Sequence, residues 1–154
     1  MTHIDEKGQV RMVDVSEKKI TTREAIASAK IKMNASTLKM INNIEFKKGN
    51  VLETARIAGI MAAKKTSDLI PMCHPLNIVH AQIDFFPDNE NSLIEIKASV
   101  KINGQTGVEI EALTAASISA LTIYDMCKSI DRKMTIKDIR LIKKTGGSSG
   151  TFIA

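Results

Sequence analysis

The sequence is poor in the residues that build several common kinds of binding surface. Its 154 residues include no Trp, one Tyr and four Phe, which is little material for the aromatic stacking platforms that bind single-stranded nucleic acid. The longest apolar run, residues 57–63, is far too short to span a bilayer. We therefore expect neither a nucleic-acid nor a membrane partner.

Cysteine is equally scarce. Cys73 and Cys127 are the two thiols, and they lack CxxC spacing, which argues against a disulfide framework and against a structural zinc site. No basic segment followed by an apolar one stands near the start of the chain. We expect a cytoplasmic protein that holds no structural metal.

Positive charge is what the sequence has in excess. The 22 Lys and Arg residues outnumber the 17 Asp and Glu residues, for a formal net charge of +5. This excess favours an anionic partner, and a phosphorylated small molecule fits best because aromatic residues are few. The length suits one domain: we predict a polar, flexible N-terminal arm over residues 1–22 and a single catalytic domain over residues 23–154.

Hydrophobic periodicity predicts an alternation of strands and helices. Strands are expected at residues 25–33, 76–86, 93–102 and 139–144, and helices at residues 37–41, 51–65 and 106–128. Ser36 is the predicted cap of the first helix, and Asn50 with Glu53 resembles a capping box for the second. The order βααββαβ predicts an α+β fold, a ferredoxin-like sandwich in which helices cover one face of an antiparallel sheet.

The helix predicted at residues 106–128 is apolar almost all round, yet it carries Glu111, Asp125 and Lys128 on one stripe. Asp125 and Lys128 could form an ordinary surface ion pair, but the helix shows no obvious solvent face, which favours a functional cleft. Glu109 is expected to point elsewhere, unless the first turn of the helix frays. Glu111 and Asp125 are fourteen residues apart, roughly 21 Å along a helix, so one small ligand can hardly touch both on one chain. If both act, we expect either a site that spans a subunit interface or a long ligand.

Three further groups are candidates for chemistry. His74 and Cys73 lie between Pro71 and Pro75, which stiffen the loop. Two cationic pairs also precede features that bind anions: residues 47–48 precede a helix start, and residues 143–144 precede a glycine-rich loop. A backbone-bonded loop histidine, solvated lysines and a flexible tail are the alternatives.

Together these motifs resemble a known family. The segments KKGNVLETARIAGIMAAKKTSDLIPMCHPL (47–76), TGVEIEALTAASISALTIYDMCK (106–128) and KKTGGSSGTF (143–152), with MVDVS at 12–16, resemble the cyclic pyranopterin monophosphate synthase family of molybdenum cofactor biosynthesis. The resemblance implies an enzyme that rearranges the cyclised dihydroguanosine triphosphate made from GTP and releases diphosphate. It also implies a homo-oligomer, a hexamer built as a trimer of dimers, with active sites at subunit interfaces.

The resemblance carries over to individual positions. It implies a catalytic group formed by Asp125, Lys128 and Lys48, with Lys128 as our candidate general acid and base. It implies substrate-binding roles for six residues: Met72, Cys73, His74, Ile110, Glu111 and Lys144. We expect no cofactor and no protein-bound metal, and magnesium accompanying the triphosphate stays an open alternative.

Two other functions fit parts of the sequence. A nucleoside triphosphate hydrolase with the same basic pocket would consume GTP itself. A ferredoxin-like RNA-binding module would need no acid and base pair, and it would bind with a steep salt dependence.

Overall fold

Five antiparallel strands form one sheet in the computed structural model, which describes residues 3–154. The elements in chain order are β1 (Thr21–Lys32), α1 (Ala35–Asn42), α2 (Val51–Lys64), α3 (Thr66–Leu69), β2 (Ile78–Asp88), β3 (Leu93–Gly104), α4 (Glu109–Cys127), β4 (Thr135–Thr145) and β5 (Phe152–Ile153). Their order in the sheet is β2-β3-β1-β4-β5. The predicted α+β, ferredoxin-like fold is confirmed, and α3 and β5 are short additions to the predicted order.

The core lies between the sheet and the helices. Along β3, alternate residues from Ile94 to Ile102 are buried, as period-two patterning predicts for a strand with one covered face. The facing positions of β1 are mostly small, at Ala25, Ala27 and Ala29, all fully buried. Small residues on the central strand let the helices approach the sheet closely.

The helices α2 and α4 pack on each other through a stripe of small residues. A Cβ added at Gly59 of α2 would lie 2.2 Å from Ser119 Oγ and 3.1 Å from the Ala115 carbonyl oxygen of α4. The Ser119 hydroxyl donates to the Ala55 carbonyl oxygen at 3.1 Å, which joins the two helices again. The absence of a side chain at Gly59 therefore allows α2 and α4 to pack closely.

Helix starts followed the predicted rules only in part. The Asn50 side chain accepts from the backbone N–H of Glu53 at 3.2 Å, so the predicted cap of α2 is confirmed. The predicted cap of α1 at Ser36 is wrong, because the helix begins at Ala35 with Asn34 at the cap position. The Asn34 backbone N–H is instead satisfied by the Asp131 carboxylate at 2.7 Å, a long-range contact that local sequence does not reveal.

The ends of the observed strands also differ from the predicted ones. The predicted start of the strand at 139–144 is wrong, because β4 begins at Thr135. Two register shifts interrupt its pairing with β1, and Asp138 has a left-handed φ of 53°. Bulges of this kind break the alternation on which strand prediction depends. In β2, Val79 is 51% exposed, and it lies at a register shift between Ile78 and His80 in the pairing with β3.

The segment before β1 has few regular elements. An isolated bridge joins Ile4 and Val10, and residues 11–20 run to the strand without helix or ladder. Residues 1 and 2 of the predicted arm lie outside the described residues. From residue 3 to residue 154, no helix is both long and apolar enough to cross a membrane.

Candidate active site

A polar pocket of about 390 Å³ lies where β1 begins, β4 ends and α4 starts. Its walls come from segments that are distant in sequence: the arm, the loop before β2, the loop before α4 and the glycine-rich loop after β4. Five predicted binding residues line it: Met72, Cys73, His74, Glu111 and Lys144. The sheet therefore brings most of the predicted binding set to one place.

Glu111 is the most perturbed acid of the pocket. It lies in the first turn of α4 and is 3% exposed. Burial raises its pKa to about 7, and the nearby charge of Glu109 adds to the rise. A carboxyl group with such a pKa exchanges a proton readily near neutral pH, and its protonated form donates a hydrogen bond.

His74 and Cys73 have different environments in the same loop. His74 Nε2 lies 2.8 Å from the Val13 carbonyl oxygen. A carbonyl oxygen only accepts, so this nitrogen carries a hydrogen and donates a hydrogen bond to the arm. The pKa of the Cys73 thiol is raised, first by burial and then by the charge of Glu111. A raised pKa lowers the fraction of thiolate, so it weakens Cys73 as a nucleophile.

Lys144 enters the pocket from the end of β4. Its strand position is held on both sides, by Ala25 of β1 and by Phe152 of β5. The Lys144 ammonium donates to the Ser149 hydroxyl in the loop that follows. The cation is thus tied to the glycine-rich loop at the mouth of the pocket, where it can bind a phosphate.

The predicted catalytic group lies at the other end of α4. Lys128 Nζ donates to Asp125 Oδ1 at 2.6 Å. This hydrogen bond and the charge of Lys128 lower the pKa of Asp125, and the positive charge of Lys48, from the loop before α2, lowers it further. Asp125 therefore stays ionised and holds the ammonium in one orientation.

The expectation that α4 lacks a solvent face is wrong. Leu121 is 52% exposed, and the side chains of Asp125 and Lys128 are 63% and 53% exposed in the single chain. Neither residue lines the pocket, and Lys48 does not line it either. One chain therefore separates the predicted site residues into a pocket group and a group at the far end of α4. Ile110, 38% exposed, also lies outside the pocket lining.

Several pocket residues were not predicted from the sequence. Glu109 lines the pocket, contrary to the expectation that it points away. Its carboxylate lies so close to Gly107 that a Cβ there would meet Glu109 Oε2 at 1.9 Å. Arg23 donates to the carbonyl oxygens of Gly104 and Gln105, at 3.1 and 3.0 Å. The sequence feature that could have indicated Arg23 is its position as an arginine in a strand rich in small residues.

No cluster of three or more His, Cys, Asp or Glu residues suited to a metal ion occurs between residues 3 and 154. The two cysteines are free thiols. The prediction that the chain uses no metal or cofactor stays a prediction.

Comparison with known proteins identifies the family. Residues 12–147 match the MoaC family. The chain belongs to the MoaC family. A relative from Desulforapulum autotrophicum is 62% identical over 153 residues, with 99% of this chain and 94% of the relative covered. A relative from Parvibaculum lavamentivorans is 56% identical, with 100% and 96% covered. Both bear the name cyclic pyranopterin monophosphate synthase.

The MoaC family match covers every predicted site residue, from Lys48 to Lys144. The match runs from the arm to the glycine-rich loop, so it contains both the pocket group and the Asp125–Lys128 pair. A relative from Thermoanaerobacter pseudethanolicus, 59% identical over 152 residues, bears the same name. The family match and the named relatives agree on a biosynthetic enzyme.

Proposed function

We propose that the chain is a cyclic pyranopterin monophosphate synthase of molybdenum cofactor biosynthesis. It takes the cyclised dihydroguanosine triphosphate, rearranges it to cyclic pyranopterin monophosphate and releases diphosphate. The family membership and the name of its near full-length relatives support this reaction. The observation that carries the proposal is the polar pocket, which brings His74, Glu111 and Lys144 together.

The reaction needs protons to be moved on and off nitrogen and oxygen. Opening the reduced imidazole ring protonates a nitrogen, and forming the pyran ring removes a proton from an oxygen. Lys128, held by Asp125 at 2.6 Å, is our proposed general acid and base. Glu111, with a pKa near 7, is suited to hold the substrate by a hydrogen bond that either of its protonation states can make.

Forming the cyclic phosphate adds an electrostatic demand. A substrate hydroxyl attacks the α-phosphorus, the bond from that phosphorus to the bridging oxygen of the β-phosphate breaks, and diphosphate leaves with its negative charge. Lysines and protonated nitrogens stabilise charge that develops in this way. We assign this role to Lys144 and His74 in the pocket and to Lys48 beside the Asp125–Lys128 pair.

The two groups of residues reach one substrate only if two chains contribute to each site. Glu111 and Asp125 are about 21 Å apart along α4, and the far group is exposed in one chain. An apolar surface between α2, α3 and α4 includes the exposed Met61 and Leu69 and the half-buried Ile118, and it is available for contact with another copy. We therefore propose a homo-oligomer with interface active sites, built as a hexamer.

Two further features complete the proposal. The enzyme acts in the cytoplasm, where free thiols such as Cys73 and Cys127 persist. It uses no bound cofactor, and any magnesium arrives with the triphosphate as part of the substrate.

The test is diphosphate release and pterin formation from the cyclised triphosphate, with GTP as a parallel substrate. Lys128→Ala should lower kcat at least about a hundredfold, because the general acid and base is lost. Lys39→Ala, an exposed lysine in the last turn of α1, is the matched control and should keep full activity. Both reactions are run with and without EDTA to separate the role of magnesium.

The outcomes distinguish the alternatives. Release of phosphate or diphosphate from GTP itself would indicate the hydrolase. Absence of turnover on both substrates, together with salt-dependent RNA binding, would indicate the binding module. Full activity of a folded Lys128→Ala variant would remove Lys128 from the mechanism.

A further inference from the structure

The arm before β1 forms part of the pocket wall. Val13, Val15 and Lys18 line the pocket together with residues of the folded domain. The stretch MVDVS at 12–16 has no role in the chemistry proposed above. Because this stretch lies beside the pocket, it can contribute to substrate binding when another residue holds the arm in place.

One side chain makes two hydrogen bonds to the arm. Gln105 Nε2 donates to the carbonyl oxygen of Lys18 at 2.9 Å and to that of Ser16 at 3.2 Å. A second tether runs from His74 Nε2 to the Val13 carbonyl oxygen. Between the tethers, Asp14 Oδ1 accepts from the Ser16 backbone N–H at 2.9 Å, which stiffens the turn.

Gln105 is itself fixed to the sheet. Its backbone carbonyl oxygen accepts from Arg23 Nη2 at 3.0 Å, and Arg23 Nε donates to the neighbouring Gly104 carbonyl oxygen. Arg23 belongs to the central strand β1. On its other side it packs on Gly147, where a Cβ would lie 2.4 Å from Arg23 Nη1. The side-chain amide of Gln105 therefore projects from a rigid base toward the arm.

We propose that Gln105 is a positioning residue that holds residues 13–18 across the pocket, so that the arm supplies one wall of the substrate site. The inference rests on the proposed function for the identity of the substrate. Because Gln105 bonds the backbone of Lys18, which lines the pocket, it also fixes the point from which the Lys18 side chain extends. Lys18 makes none of the ion pairs found among residues 3–154, which leaves this cation for a phosphate.

The arm's position should then control apparent affinity. A substrate that binds only when the arm is closed has an apparent dissociation constant that rises as the closed fraction falls. Loss of two exposed hydrogen bonds lowers the closed-to-open ratio by about tenfold. The chemical step uses other residues, so kcat should change little.

The experiment compares Gln105→Ala with Gln82→Ala in the full-length protein. Gln82 is exposed on β2 and bonds only the Asp84 side chain, so its variant is the matched control. Hydrogen exchange of residues 13–18 is measured alone and with inorganic triphosphate, and KM and kcat are measured with the cyclised triphosphate. Lys18→Gln is measured beside them.

We expect Gln105→Ala to speed exchange in residues 13–18 by about tenfold, to weaken their protection by inorganic triphosphate and to raise KM with kcat within about twofold. Lys18→Gln should raise KM without speeding exchange. Gln82→Ala should match the wild type throughout. Unchanged exchange in Gln105→Ala would refute the claim that Gln105 holds residues 13–18. Faster exchange with unchanged KM and unchanged protection by triphosphate would refute the claim that the arm forms a wall of the substrate site. Failure of the wild type to turn over would count against the proposed function instead, and the exchange data would still decide the inference.

Discussion

Replacing Glu111 by Gln should stabilise the protein above neutral pH and leave its stability almost unchanged in acid. The side chain is 3% exposed, and burial raises its folded-state pKa to about 7 from the ordinary value of 4.5. The folded state therefore binds a proton that the unfolded state releases. Glutamine has the shape of the protonated acid but no charge to bury, so it removes this linkage.

The sign and size follow from the two pKa values. Below pH 4.5 the carboxyl is protonated in both states, and the variant should match the wild type. Between pH 4.5 and 7 only the folded state holds the proton, so the wild type loses stability relative to the variant at about 1.4 kcal/mol per pH unit. Above pH 7 the difference levels off at about 3 kcal/mol.

Urea unfolding at pH 4, 5, 6, 7 and 8 measures this difference, at one fixed protein concentration because subunit association adds to apparent stability. Glu90→Gln, in the exposed turn between β2 and β3, is the control and should parallel the wild type. Two parallel curves for Glu111→Gln and the wild type would refute the reasoning. They would show that the carboxyl is solvated or paired in the folded protein.

Two predictions test the contacts on α4. Gly59→Ala should lower the free energy of unfolding by about 2 kcal/mol, because the added methyl overlaps Ser119 of the facing helix; urea unfolding measures it, and unchanged stability would mean that the helices do not touch there. Chains with Lys128→Ala, mixed and reassembled with chains carrying Lys144→Ala, should recover about a quarter of wild-type diphosphate release, since random pairing rebuilds one intact interface site in four. Absence of recovered activity despite mixed assembly would refute active sites that combine Lys144 of one chain with Lys128 of another.

Sequence patterns predicted the elements whose signals are local. The alternation in β3 and the Asn50 cap of α2 both appear where they were expected. The same patterns failed for β4, where register shifts and the left-handed Asp138 interrupt the alternation. They failed again at Ser36, since the start of α1 is stabilised by Asp131 from far along the chain.

The candidate site shows the same division. The resemblance named Glu111, His74 and Lys144, and the fold brings all three into one pocket. It could not indicate that Glu109 lines the same pocket, or that Gln105 holds the arm beside it. The hydrogen bonds of Gln105 join residues 87 and 89 positions apart, and no periodicity in the sequence indicates them.

The sequence by itself determined the class of fold, the excess of positive charge and the family, because periodicity, composition and motifs are properties of the chain. Only the tertiary structure decided which groups meet, how deeply Glu111 is buried and that Asp125 and Lys128 are exposed on one chain. The physical reason is that burial and hydrogen bonding depend on neighbours supplied by other segments. A side chain's pKa and partners are therefore set by the packed sheet and helices rather than by its own position in the chain.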